Sequence, residues 1–306
     1  MTTIRLYWNN ICILHRQELA FLEEMKKHLK AQDIHLEVTC FGLGYGVHMS
    51  DAIRNGDVPL PDMMVSTDLE VFEDHRIYDA VKNQGLHPLA ELFAPRDIPM
   101  AAPFIRDEFL LPYLAIPLVF YSADPLPAPV SLADLAEKDI PLAFGGIKNS
   151  AGKTVVKAVW EADGRPLAEK LLASASVTAM PIQAFHRVRN GESRLALVPL
   201  VYALRADGLH THSACPKGGA PAVASYICAK SSLPLSAVEA VIKELRRPEI
   251  SRFYVENGRL VSFSPESPKE PWLEENGAVL SAPSPKFLKA LTPEKFYEVY
   301  QTLSPA

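Results

Sequence analysis

The sequence is short of several things, and each shortage excludes a class of protein. No apolar run approaches the ~18 residues a membrane-spanning helix needs. The longest apolar stretches, such as YLAIPLVFY at 113–121, are the size of a strand. Basic charge is not in excess: 31 Lys and Arg face 36 Asp and Glu, a formal charge of −5. That leaves no electrostatic footprint for nucleic acid or anionic lipid. The cluster Lys243, Arg246, Arg247 is interleaved with Glu244 and Glu249 and reads as a solvated helix face. There are only four cysteines, Cys12, Cys40, Cys215 and Cys228, and no Cys-x-x-Cys, so neither a zinc nor a redox motif is indicated. Two long-range disulfides in an oxidising compartment fit this spacing, but buried thiols are the simpler reading. A leader is also missing: Met1 passes into the strand-like IRLYW within three residues, without a basic n-region, an apolar h-region or a cleavage site. As written, the chain is expected to be cytoplasmic; it is expected in the periplasm if a leader has been cleaved.

What is present is ordinary globular material. The 306 residues are 48% hydrophobic and 22% charged, enough for one large domain or two smaller ones, each with a core. The 26 prolines are scattered at element boundaries rather than gathered in a linker, which favours a compact fold. The first half alternates strand and helix. IRLYW (4–8) and IHLEVTCF (34–41) pattern as strands around a helix from Leu14 to Lys30; a short helix through Ile53 stops at Asn55-Gly56. DMMVS (62–66) is a third strand, and helical patterning runs from Asp68 to Lys82. A second series begins near residue 114 with AIPLVFYS, a capping-box pattern SLAD (131–134) and IPLAFGG. It continues through a helix at Thr154–Glu161, SVTAMP, a helix near Ile182–Asn190, RLALVPL, GLHTHSAC and AVASYICAK. A helix from Ser236 to Arg247 follows, then an irregular Pro-rich stretch from Ser264 to Pro285, and a last helix in LTPEKFYEVYQTL. Repeated βαβ patterning of this length predicts parallel sheets, with ligands held beyond the carboxyl ends of the strands.

FGGIKNSAGKT (144–154) has the look of a phosphate loop but fails its spacing. A Walker A glycine belongs five residues before Gly152, where Ile147 stands; Gly146 is one residue too far upstream. The segment is better read as a strand-to-helix turn whose free N–H groups face a polar ligand or are merely capped.

Five segments in chain order resemble the type II periplasmic-binding-protein superfamily, in particular the solute-binding proteins of ABC importers for iron, thiamine, polyamines and phosphonates. They are AIRNGDVPLPDMMVSTDLEVF (52–72), LAIPLVFYSADPLPAPVSLADL (114–135), PLAFGGIKNSAGKTVVKAVWEADG (141–164), NGESRLALVPLVYA (190–203) and CPKGGAPAVASYICAKSS (215–232). The resemblance implies a two-lobed α/β fold with a helical C-terminal tail: lobe 1 from 1–117 plus 223–306 and lobe 2 from 118–222, with the ligand cleft between them. Hinge strands are implied near Pro117–Tyr121 and Val223–Cys228. It implies hinge closure on a polar or anionic small molecule, with an ABC permease as candidate partner, and no nucleic acid, membrane insertion, cofactor or catalytic group. Two departures matter. The leader is missing, and Tyr202 is followed by Ala203 where iron-binding members carry adjacent tyrosines, which argues against a ferric site of that type.

In that frame the expected ligand-binding residues are Trp8, Asn9 and Asn10 after the first strand and Ser66 and Thr67 after the third. In the second lobe they are Asn149 and Ser150 at the helix start and Tyr202 after LVPL. Each is also a favoured turn or cap residue. Lys153 reads as projecting to solvent, and Glu70, Glu73 and Asp74 as a solvated acidic face. His210 and His212 share a strand face that Cys215 does not, so no metal site is predicted there. Cys12 and His15 have a nucleophile–base spacing but no third member, and His48 reads as a loop residue. The alternatives to a binding protein are a cytoplasmic enzyme on this fold, similar to a thiamine-pyrimidine synthase, and a cytoplasmic ligand sensor.

Overall fold

The computed structural model describes residues 1–303 apart from 12, 43, 44, 94–97, 127, 128, 147 and 149. Cys12, Ile147 and Asn149 thus lie outside the described residues. The chain divides into two compact α/β units. The first comprises Met1–Leu114, Ala224–Gly258 and Ser262–Lys269; the second comprises Ala115–Val223, Arg259–Val261 and Glu270–Ala306.

The first unit opens with β1 (Thr2–Asn9), α1 (His15–Lys30), β2 (Ile34–Phe41), α2 (Met49–Asn55) and β3 (Met63–Ser66). β1 pairs in parallel with β2 on one side and β3 on the other. α1 buries Phe21, Leu22, Met25 and Leu29, a stripe at helical period, and α2 ends where Gly56 takes a positive φ of 74°. Three short helices follow, α3 (Glu70–Glu73), α4 (His75–Lys82) and α5 (Leu89–Phe93), then a 3-10 turn at Pro99–Phe104 and β4 (Leu111–Ser122). The single helix expected over 68–82 is broken at Asp74. Its backbone is extended there, and its carboxylate accepts from the Arg76 N–H at 3.0 Å, an N-cap that starts α4.

The second unit holds α6 (Leu132–Glu137), β5 (Ala143–Gly145), α7 (Ser150–Asp163), α8 (Arg165–Ser174), β6 (Ser176–Thr178), α9 (Pro181–Arg189), β7 (Leu195–Pro199), α10 (Leu200–Ala203) and β8 (His212–Ala214). β5 is parallel to both β6 and β7, while β7 and β8 run antiparallel to the Leu118–Ser122 part of β4. The SLAD capping box is present: Ser131 Oγ accepts from the Asp134 N–H, and the Asp134 carboxylate accepts from the Ser131 N–H.

β9 (Ala220–Ala229) returns the chain to the first unit, where Tyr226–Ala229 pairs antiparallel with β3. The switch points fall inside β4, between Leu114 and Ala115, and inside β9, between Val223 and Ala224. α11 (Leu235–Leu245), α12 (Pro248–Gly258) and β10 (Val261–Ser262) follow, then α13 (Pro271–Glu275), β11 (Leu280–Ser281), α14 (Pro285–Ala290) and α15 (Pro293–Leu303).

One expected boundary changes. The tail from Glu270 groups with the second unit, not with the first. Glu161 on α7 accepts from the Ser284 N–H at 2.8 Å and from its hydroxyl, and Phe296 packs on Trp160 with the Lys157 amine 4.5 Å above its ring. Ring burial and a satisfied carboxylate hold the tail there, and neither contact is visible as local patterning.

Candidate functional site

Strand parity sorts the carboxyl end of the first unit's sheet into two rows. The register pairs Trp8 with Val65, and Val65 with Ile227. These three side chains share one face, the core, where Trp8 is 1% exposed and meets the edge of Phe21 at 6.3 Å. Trp8, expected at the ligand surface, is therefore a core residue. One step along, Ser66 faces Tyr226, and the same register brings Asn9 beside Ser66 on the opposite face.

That second row is polar. Asn9 donates to Thr67 Oγ1 at 2.8 Å, while its own buried carbonyl oxygen has no hydrogen bond among the described residues. Ser66 is fully buried and accepts from the Asp68 N–H at 3.0 Å; Asp68 in turn accepts from the Ser50 N–H, tying the start of α2 to the end of β3. Asn10 is buried as well, with its amide 3.3 Å from His15 Nδ1. Its side-chain oxygen lies where a Cβ on Gly42 would collide with it, and Gly42 has a φ of +100°. The structure thus brings Asn9, Ser66 and Thr67 together, with Asn10 on the adjoining turn.

Two residues that sequence reasoning missed complete this end. Tyr226 in β9 is fully buried, and the Arg106 guanidinium lies 5.0 Å from its ring centre. Arg106 Nη2 donates to Glu73 Oε1 at 2.7 Å, with the Arg106 side chain only 7% exposed. Arg106 Nε and Nη1 and the Tyr226 hydroxyl are buried without a well-aligned hydrogen bond among the described residues. Burial works against the Arg106 charge, but Tyr226 and Glu73 outweigh it and raise its pKa. Burial pushes the Tyr226 hydroxyl up to about 12, with Arg106 pulling the other way. The turn that presents Arg106 is fixed by Asp107, which accepts from the Phe109 and Leu110 N–H groups and from the Tyr78 hydroxyl at 2.6 Å.

The neighbouring acidic cluster is not the solvated face expected. Asp74 is 2% exposed and paired with Arg76 and Arg54; Glu70 also pairs with Arg54, and Glu73 is buried against Arg106. Beneath the sheet end, the buried Glu18 carboxylate accepts from the Ile11 N–H at 2.8 Å and the Tyr254 hydroxyl at 2.9 Å. Burial pushes its pKa up to about 7, with those two donors holding it back.

The second unit is built differently. Ser150 is the first residue of α7, half-buried at the turn after β5. The glycines of FGGIKNSAGKT serve close packing. A Cβ on Gly146 would strike the Thr178 carbonyl oxygen, and one on Gly152 the Gly145 carbonyl oxygen. Lys153, expected in solvent, is 8% exposed with its amine over the Tyr297 ring at 5.4 Å, because α15 covers this face of α7. Tyr202 is buried, its ring stacked on Phe185 at 5.8 Å under the Arg205 guanidinium. His210 sits in an exposed turn paired with Asp207, apart from the strand that carries His212. Among the described residues, no group of three or more His, Cys, Asp or Glu side chains is arranged to hold a metal ion, and no helix is long and apolar enough to cross a membrane.

No protein-family model matches the chain, and no curated protein sequence does. Solved structures do. Iron-bound HitA from Pseudomonas aeruginosa superposes with a TM-score of 0.70 at 17% identity over 100% of both chains. A ferric binding protein from Campylobacter jejuni gives 0.69 at 14% identity, covering 98% of this chain and 99% of that one. The substrate binding protein of an ABC transporter from Agrobacterium tumefaciens gives 0.60 at 16% identity, over 99% and 94%. Identities this low speak for the backbone alone. Together with the two α/β units and the strands that pass between them, they make this a two-lobed periplasmic-binding-protein fold of type II.

Proposed function

We propose that the chain is a small-solute binding protein that closes its two lobes on a polar or anionic ligand and delivers it to an ABC permease. The observation that carries the proposal is the polar row at the carboxyl end of the first unit's sheet, a buried Ser66 flanked by half-buried Asn9 and Thr67, where an open parallel sheet takes its ligand. Ser150 at the start of the second unit's long helix is the matching candidate contact in the other lobe, together with Asn149 and Tyr202 from the sequence reading. A ligand that prefers the closed arrangement supplies the free energy for closure. Iron is named for two of the structural neighbours, but here Ala203 follows Tyr202, so the adjacent tyrosinate pair is missing and an organic or oxyanion solute fits better.

The test is a thermal-shift screen of ligand-stripped protein over oxyanions, phosphonates, thiamine derivatives, polyamines, amino acids and ferric citrate. A true ligand at a hundred times its Kd adds about 2.7 kcal/mol by mass action and raises the melting temperature by several degrees. A flat response to every compound would remove the binding-protein reading and leave the enzyme and sensor alternatives.

A further inference from the structure

Resting on that binding-protein reading, we propose that Arg106 and Tyr226 form a seat for an acidic group of the solute, a carboxylate, phosphate or phosphonate whose oxygens accept from the guanidinium and the phenol. Three observations converge on it. The first is a contrast among arginines of the same unit. Arg5 gives both Nε and Nη2 to Asp62, and Arg76 gives both to Asp74, although these side chains are far more exposed than Arg106. Arg106, the most buried of the three, uses Nη2 on Glu73 and leaves Nε and Nη1 without a well-aligned partner. Buried donors without a well-aligned partner are uncommon, and among the described arginines of this unit only Arg106 and Arg246 bury two of them.

The second is direction. Ser66 and Tyr226 are register partners and therefore share a face of the sheet, the face that also carries Asn9. The guanidinium lies against the Tyr226 ring, so it stands on the sheet face that also carries Ser66 and Asn9. The third is the balance of donors and acceptors. Arg106 and Tyr226 meet each other only in poor alignment, and the donors they present, Nε–H, Nη1–H and O–H, are a set that an acceptor-only oxyanion satisfies and an ammonium does not. Glu73 fixes the guanidinium and Asp107 fixes its turn, so little ordering cost remains when the ligand arrives.

The experiment is titration calorimetry on the full chain with inorganic phosphate, methylphosphonate and succinate, each beside a neutral counterpart, trimethyl phosphate, dimethyl methylphosphonate and succinamide. Arg106→Lys keeps a cation for Glu73 but removes the Nε–H and Nη1–H donors; Tyr226→Phe removes only the hydroxyl. The double variant Arg106→Gln/Glu73→Gln removes the guanidinium without stranding a buried carboxylate. At least one of the three acids should bind the native chain, while its neutral counterpart does not. Loss of a charge-assisted hydrogen bond should weaken that acid about thirtyfold in Arg106→Lys and the double variant, and loss of the phenol about fivefold in Tyr226→Phe. Phosphorus acids and succinate separate the two sources of the same oxyanion chemistry. If none of the three acids binds the native chain, or if they bind all the variants as tightly as the native chain, the seat does not exist. Binding of neutral or cationic solutes that ignores Arg106 removes the seat but spares the binding-protein reading, whereas silence to every solute removes both.

Discussion

The two units end their sheets in opposite ways. In the first, the strand ends carry side-chain chemistry: Asn9, Ser66 and Thr67 in a row, with Arg106 and Tyr226 behind them. In the second, they carry backbone and rings: Gly146 and Gly152 packed against carbonyl oxygens, and Tyr202 stacked on Phe185. The first unit is specified by hydrogen-bond matching and the second by volume. Substitutions should sort accordingly, with size dominating in one unit and polarity or protonation in the other.

The largest effect is expected at Gly152. Gly152→Val drives side-chain atoms into the Gly145 carbonyl and the space of the Tyr300 hydroxyl. Backbone cannot yield as a flexible side chain does, so urea unfolding should show a loss above about 3 kcal/mol. A loss below 1 kcal/mol, on the order of a tolerated surface change, would break the claim that volume governs this unit.

Next comes protonation in the first unit. Glu18 has a folded pKa of about 7 against an ordinary value of 4.5, so the folded chain holds this proton more tightly than the unfolded chain. Its contribution is fully present below pH 4.5 and is lost as pH rises through about 7, a swing of about 3 kcal/mol. Glu18→Gln should flatten that part of the stability–pH curve; an unchanged slope would place the titration elsewhere.

Asp74→Ala removes the α4 cap and one carboxylate partner each of Arg54 and Arg76, and should cost about 2 kcal/mol. Smallest is Ser131→Ala, which deletes one half of the α6 capping box and should cost about 1 kcal/mol in the second unit. Equal costs at the two caps would show that the arginines around Asp74 add nothing to its capping role.

Much of this was legible in the sequence, and the reason is local. Hydrophobic period placed β1, β2 and α1 within a residue or two, and Asn55-Gly56 and SLAD marked a helix end and a helix start. The polar row was half-legible, because Asn9, Ser66 and Thr67 are the residues that follow strands. Arg106 was not. It is one of 31 basic residues, in a turn without period, and only the Ser66–Tyr226 register and the contact with Glu73 single it out. Trp8 was misplaced because facing direction depends on which strands flank β1, a question of sheet order that no local pattern answers. The C-terminal tail failed for the same reason: its partners on α7 lie more than a hundred positions back along the chain.

That tail has a consequence for synthesis. Residues Ala115–Val223 emerge from the ribosome well before Glu270, yet the face of α7 that carries Lys153, Lys157 and Trp160 packs against Phe296 and Tyr297 of α15. The first unit has all its strands and helices once Lys269 has been added, while the second still lacks α15. On a translating ribosome the nascent second unit therefore displays an unfinished apolar surface until α15 has been added. In that interval a chaperone, or a second nascent chain, has its opportunity to bind.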